Sequence, residues 1–238
     1  MTKAVALITG ANKGIGLEIA RQLHERGVTV LLAARDEERG TAAAEKLGVP
    51  FVQLDVTDPD SIKKAATWVD LAYGKLDILV NNAGVTVVEE EGRPSIASLD
   101  VMRRIYETNV FGVVAVTNTF LPLLRKSPAG RIVNQSSGRS SLGQTLDPEH
   151  PVWRVPVNLS YSSSKTALNM VTVSYARELW DTAIKVNAVD PGWCRTDING
   201  GEGYRSAEQG AAIAVKLATL DADGPTGTFS DERGTVAW

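Results

Sequence analysis

Tyr161 and Lys165 lie four residues apart in the stretch Tyr161-Ser162-Ser163-Ser164-Lys165. The stretch opens a segment, 161–180, that reads as a helix, and residues four apart on a helix share one face. That spacing sets a phenol beside an ammonium. A free phenol gives up its proton at a pKa of about 10, too high for easy exchange at neutral pH. A nearby positive charge stabilises the phenolate and lowers that value, and a phenol tuned in this way serves as a general acid or base. The bland alternative is a packed tyrosine beside a solvated lysine, because so short a motif also arises by chance.

A second stretch points to phosphate. Gly10-Ala11-Asn12-Lys13-Gly14-Ile15-Gly16 follows an apolar run at 4–9 and precedes the helical periodicity Leu17, Ala20, Leu23, which stops at Gly27. Strand, glycine loop and helix in that order let the backbone turn tightly and aim helix N–H groups at a pyrophosphate. A Gly-Lys-Ser/Thr ending, which the P-loop alternative needs, is absent. The next apolar run, 28–33, leads into Ala33-Ala34-Arg35 with no acid at its tip, while Arg39 lies a helical turn further on. With Lys13 in the glycine loop, these three cations suit the 2′-phosphate of NADP better than the 2′-hydroxyl of NAD. Asp36 follows Arg35 directly and reads as the N-cap of the next helix.

The elements that must position these groups alternate. Strands are expected at 50–54, 76–80, 131–135 and 184–189, with a last short one near 227–229. Helices are expected at 58–72 (Asp58 as N-cap, Pro59 first), 99–126, 161–180 and 206–220 (Ser206 as N-cap). Asn81-Asn82-Ala83-Gly84 closes the fourth strand where open α/β sheets bind ligands, although an Asn-Asn-Gly turn is the simpler reading. Residues 88–94 are polar and Glu-rich and read as a solvated loop. Asn109 sits in the middle of the 99–126 segment, a poor helical position, so it either faces solvent or has a task. The alternation, with no linker and no repeat, predicts a single-domain α/β Rossmann fold over 1–238: a doubly wound, mostly parallel, seven-stranded sheet with helices on both faces.

Composition narrows the function. The 238 residues are 43% hydrophobic and 22% charged with a net charge of −3, so no basic surface points to nucleic acid. Cys194 is the only cysteine and His24 and His150 the only histidines, which speaks against a disulfide, a zinc site or a Ser-His-Asp triad. No signal-peptide pattern and no apolar run of roughly 18 residues is found, so a cytoplasmic protein without membrane contact is expected.

In order along the chain, Thr9-Gly10-x-x-x-Gly14-x-Gly16, Asp55-Val56, Asn81-Asn82-Ala83-Gly84, Asn109, Ser137, Tyr161-x-x-x-Lys165 and Pro191-Gly192 resemble the classical short-chain dehydrogenase/reductase family. Pro191-Gly192-Trp193-Cys194-Arg195-Thr196-Asp197 and Gly224-Pro225-Thr226-Gly227-Thr228-Phe229 look most like its NADPH-dependent carbonyl reductase branch. The resemblance implies an NADP(H)-dependent reductase of ketones, aldehydes or quinones, with Asn109, Ser137, Tyr161 and Lys165 as the catalytic set. Tyr161 would protonate the carbonyl oxygen and Ser137 would hydrogen-bond it, with Ser136 the competing serine. Lys165 would depress the Tyr161 pKa and bind the nicotinamide ribose. Asn109 would anchor a water between Lys165 and solvent. Gly10, Asn12, Lys13, Gly14, Ile15 and Gly16 would take the phosphates, and Arg35 and Arg39 the 2′-phosphate. Asp55 and Val56 would meet the adenine, and Asn82, Ala83 and Gly84 the adenosine ribose. Pro191, Gly192 and Thr196 would meet the nicotinamide.

Substrate choice is expected in 138–160 and 193–206, where Leu142, Trp153 and Trp193 could form an apolar wall beside Ser137; the competing reading has the tryptophans as ordinary packing. The 24 residues from Ser137 to Tyr161 exceed the common spacing and fall short of the large insertion of the monomeric carbonyl reductases. Ala167, Leu168, Met170, Val171, Val173 and Ala176 make the Tyr161 helix apolar nearly all round, so both its faces should be covered, by that insertion or by another subunit. A monomer and a homo-oligomer packed through the Asn109 and Tyr161 helices both remain open. So do two other functions: an alcohol dehydrogenase or 3-oxoacyl reductase on the same site, and a non-catalytic NADP sensor.

Overall fold

The computed structural model describes residues 3–87 and 93–238, so most of the expected 88–94 loop lies outside the described residues. The first half alternates as β1 Val5–Thr9, α1 Gly14–Glu25, β2 Thr29–Ala34, α2 Glu37–Leu47, β3 Phe51–Gln53, α3 Pro59–Tyr73 and β4 Ile78–Asn81. Next come α4 Leu99–Tyr106, α5 Gly112–Leu124, β5 Arg131–Gln135, a short α6 Leu142–Thr145, α7 Leu159–Glu178, β6 Lys185–Val189, α8 Ala207–Ala218, β7 Phe229–Asp231 and β8 Gly234–Thr235. The strands stand in the order β3-β2-β1-β4-β5-β6-β7-β8, parallel throughout except for β8. Strand order reverses between β1 and β4, which opens a crevice at their carboxyl ends.

The period-2 pattern of the strands divides the core. Val5 and Leu7 of β1 pack with α3, α5 and α7, while Ala6 and Ile8 pack with α1, α2 and α8. The expected caps are in place: Asp36, Asp58 and Ser206 each accept a backbone N–H of the first turn that follows.

Three features differ from the sequence reading. An eighth strand turns back on β7, and two residues carry no periodicity from which it could be read. The expected 99–126 helix is interrupted by a wide π-turn, Glu107–Phe111, which turns Asn109 fully inward; such turns recur at functional sites. The α7 helix starts two residues before Tyr161, because the buried Asn158 side chain caps it. The segment before α7 holds the short α6 and a 3-10 turn at Pro151–Arg154.

Candidate active site

Tyr161, Ser137 and Lys165 meet at the carboxyl end of the sheet. The α7 helix places Tyr161 and Lys165 on one face, and Ser137 stands two residues past the end of β5. The Ser137 hydroxyl accepts the Arg139 N–H at 3.3 Å and stands close enough to the Tyr161 phenol to favour its ionised form. The Lys165 Nζ lies 5.8 Å from the centre of the Tyr161 ring and donates to the Gln135 carbonyl at 2.7 Å. Ser136 is excluded from this group: its Oγ donates to Asn169 Oδ1 at 2.6 Å and faces Ser140, a packing role on the inner side of α7.

The electrostatics run against one expectation. Burial pushes the Tyr161 phenol above its ordinary value, and Asp190 adds to that; the Ser137 hydroxyl and the Arg139 charge oppose it. Lys165 was expected to depress the phenol, yet burial lowers Lys165 itself to about 8. An ammonium and a phenol sharing a dry pocket are each driven toward the neutral form.

Buried polar bonds fasten the floor beneath them. Asn109 Oδ1 accepts the Val85 N–H at 2.9 Å, and its Nδ2 donates to Val85 O at 2.9 Å and to Ser164 Oγ at 3.0 Å. Ser164 in turn donates to the Tyr161 carbonyl at 2.7 Å. A Cβ on Gly84 would come within 3.4 Å of both Asn109 Oδ1 and Lys165 Nζ, so the two groups converge on its bare face. One layer below, Asn81 Nδ2 donates to Asn134 Oδ1 at 2.9 Å, and Asn134 Nδ2 to Thr172 Oγ1 at 2.9 Å, a ladder that ties β4 and β5 to α7. Sequence reasoning missed Gln135, Ser164 and Val85. Two of these act through backbone atoms, which any residue type provides, and Ser164 lies inside the motif without a sign of its partner.

The glycine loop abuts this floor. Gly10 has φ +63°, and a Cβ there would lie 2.9 Å from the Ala83 Cα, so the loop and the end of β4 touch backbone to backbone. Asn82 clips them together, donating to Thr9 O at 2.8 Å and Gly10 O at 3.1 Å. No side chain caps the N-terminus of α1 and no acid stands in its first turn. Its N–H groups therefore face the crevice with their partial positive charge, which fits a pyrophosphate. Thr196 approaches from the far side, 3.4 Å from where a Gly14 Cβ would be.

The cations expected at the 2′-phosphate stand at the same mouth with neighbours of their own. Arg35 is exposed, Arg39 is held by Asp36 at 2.5 Å, and Lys13 is paired with Asp197 at 2.8 Å. The Asp55 carboxylate accepts from Thr57 Oγ1 at 2.7 Å, and the buried Val56 packs beside Gly112. Leu142 (61% exposed), Trp153 (52%) and Trp193 (52%) are surface residues and not core packing. On α7, Met170 remains 60% exposed, so the expected cover over both faces of that helix is not supplied by the 140–159 segment. Among the described residues no His, Cys, Asp and Glu cluster could hold a metal, and no helix is long and apolar enough to cross a membrane.

Comparison with known proteins agrees with this geometry. The profile described as short chain dehydrogenase matches residues 4–205. The chain therefore belongs to the short-chain dehydrogenase family of oxidoreductases. Within the family it is similar to a Penicillium roqueforti short-chain dehydrogenase, 39% identical with 92% of this chain and 90% of the relative covered. It is also similar to bovine carbonyl reductase [NADPH] 1, 36% identical with 100% and 99% covered. The NADPH-bound carbonyl reductase from chicken fatty liver superposes with a TM-score of 0.86 at 29% identity, 100% of each chain being covered. The chain thus stands near the carbonyl reductase branch.

Proposed function

We propose that this chain is an NADPH-dependent reductase of ketones, aldehydes or quinones, acting through Tyr161. The observation that carries the reading is the meeting of the Ser137 hydroxyl and the Tyr161 phenol above a buried Lys165, beside a glycine loop with an uncapped helix behind it. Bound NADPH supplies the hydride that reaches the carbonyl carbon. The Tyr161 phenol donates its proton to the carbonyl oxygen, and burial keeps that proton on the phenol at neutral pH, the form a reductase needs. Ser137 donates a hydrogen bond to the same oxygen as charge gathers there. Lys165, with a pKa of about 8, carries its charge at neutral pH and steadies the phenolate left behind. Asn109 holds the π-turn and the strand end in register beneath Lys165.

The loop from Gly10 to Gly16, with Asn12, Lys13, Gly14 and Ile15, would cradle the phosphates. Arg35 and Arg39 would take the 2′-phosphate, Asp55 and Val56 the adenine, Asn82, Ala83 and Gly84 the ribose, and Pro191, Gly192 and Thr196 the nicotinamide. Substrate selection falls to 138–160 and 193–206, where Leu142, Trp153 and Trp193 give an apolar rim suited to an apolar carbonyl compound. The test is loss of NADPH absorbance against a panel of aldehydes, ketones, diketones and quinones, with NADH in parallel. Turnover with NADPH on part of the panel is expected. Tight NADPH binding with no turnover on any member would favour a sensor. Arg35→Ala should reduce the NADPH-over-NADH preference about tenfold, the worth of one charge-assisted phosphate contact.

A further inference from the structure

Asp190 lies at the end of β6 and has no part in the proton transfer described above. Its Oδ1 accepts the Gly192 N–H at 2.9 Å, and the Gly138 amide on the other side of the carboxyl favours its charged form. Its Oδ2 lies so close to Gly138 that a Cβ there would come within 2.7 Å of it. Its own N–H donates to the Ser230 carbonyl at 2.8 Å, which anchors it to β7. Gly138 adjoins Ser137, and Gly192 adjoins Trp193. One carboxyl therefore joins the loop of the serine to the loop that enters the 193–206 segment. The charged and titratable groups around it are Arg205 from that segment, Asp231 from β7, the Cys194 thiol, and Tyr161 from α7. Arg205 is itself tied to Glu232 and to the Gln209 carbonyl. Tyr161 also faces Ser137, Arg139 and, on its own helix, Lys165.

We propose that Asp190 is a positioning residue for the Ser137–Tyr161 pair: its carboxylate locks the Ser137 loop to the loop entering Trp193 and sets a negative charge beside the phenol. The proposal rests on the reductase reading for its bearing on turnover. A carboxylate suits the place because Oδ1 accepts the Gly192 N–H while Oδ2 lies against the Gly138 backbone, and an amide side chain would turn its own NH₂ toward one of the two. Burial, with Asp231 adding to it, holds this carboxyl above its ordinary value, while the Gly192 and Gly138 amides and Arg205 favour its charged form. That charge opposes ionisation of Tyr161 and so keeps the donor proton in place.

The first test uses the unaltered chain: amide hydrogen exchange at Gly138 and Gly192. Protection at both is expected, and exchange at open-loop rates at either one overturns the clamp. The second compares the chain with Asp190→Asn and Asp190→Ser by ultraviolet titration of Tyr161, isolated by subtracting the Tyr161→Phe variant. The Tyr161 midpoint should fall by about half a unit or more in both variants, a change that a purely structural role would not produce; an unchanged midpoint overturns the charge effect. In steady-state assays Asp190→Asn should lower kcat about tenfold with NADPH affinity kept within about twofold, as expected for one lost charge-assisted bond. An equal loss of NADPH affinity would mean that the residue serves cofactor binding instead. Exchange and titration need no substrate. Failure of the whole carbonyl panel would therefore remove the reductase reading without touching them.

Discussion

At the carboxyl ends of β4 and β5, Asn81, Asn109, Asn134, Ser136, Ser164 and Lys165 are buried, and each is bonded to another protein group. In the segments around α6 and Trp193 the reverse holds: Leu142, Leu146, Trp153, Trp193, Ile198 and Tyr204 hold large apolar surfaces out to solvent. The first region can tolerate little change, since each buried polar atom that loses its partner costs about 1–3 kcal/mol. The exposed side chains of the second lack such buried partners, and under the proposed function they are where substrates would be distinguished. Under the proposed function, chemistry sits on the buried floor and selection on the open rim, so changes at the two should differ in kind.

The largest effect is expected at the donor itself. Tyr161→Phe should lower kcat on the order of 100-fold or more with NADPH affinity nearly kept, measured by steady-state assay and fluorescence titration. Unchanged turnover would remove Tyr161 from its role. Gly10→Ala is the next most damaging change, because it forces a side chain into φ +63° and against the Ala83 backbone. It should cost about 2 kcal/mol in denaturant unfolding and weaken NADPH binding at the same time. Asn109→Ala leaves the Val85 N–H and carbonyl without their partner and should cost about 1–3 kcal/mol of stability, with turnover falling alongside. A stable, active variant would show that the π-turn holds without it.

A subtler effect follows from Lys165. Its folded pKa of about 8 lies below the ordinary 10.5. Between these values the unfolded chain holds a proton that the folded chain has released, so this group makes stability rise with pH across that window. Lys165→Met should remove that rise, read as a flatter melting temperature against pH than in the unaltered chain. Smallest are the rim changes. Trp153→Ala or Trp193→Ala should shift KM for a carbonyl substrate by a few-fold and leave unfolding within about 0.5 kcal/mol, since both side chains are exposed. A large loss of stability in either would move that residue from the rim to the floor.

Much of the fold was legible because it rests on local pattern. Apolar runs of strand length, the stop at Gly27 and the caps Asp36, Asp58 and Ser206 are short-range signals, and each appears in the structure. The glycine loop and Tyr161-x-x-x-Lys165 were legible for the same reason, since spacing alone puts their groups on one turn or one face. The π-turn at Asn109 was not, because widening a helix by one residue is driven by partners that are distant in sequence, here Val85 and Ser164. Local signal does not separate Ser137 from Ser136, since both follow the same strand; the resemblance points to Ser137, and in the structure the Ser136 hydroxyl is turned to Asn169.

By itself, then, the sequence determined the order of strands and helices, the phosphate-type loop and the presence of a phenol above an ammonium. Each follows from residues within a few positions of one another. Only the tertiary structure decided the direction of the Tyr161 and Lys165 pKa shifts, the use of the Gln135 carbonyl under Lys165, and the joining of the Gly138 and Gly192 loops through Asp190. Those depend on burial and on which backbone atoms meet across the sheet. Neither is encoded in the spacing of any motif.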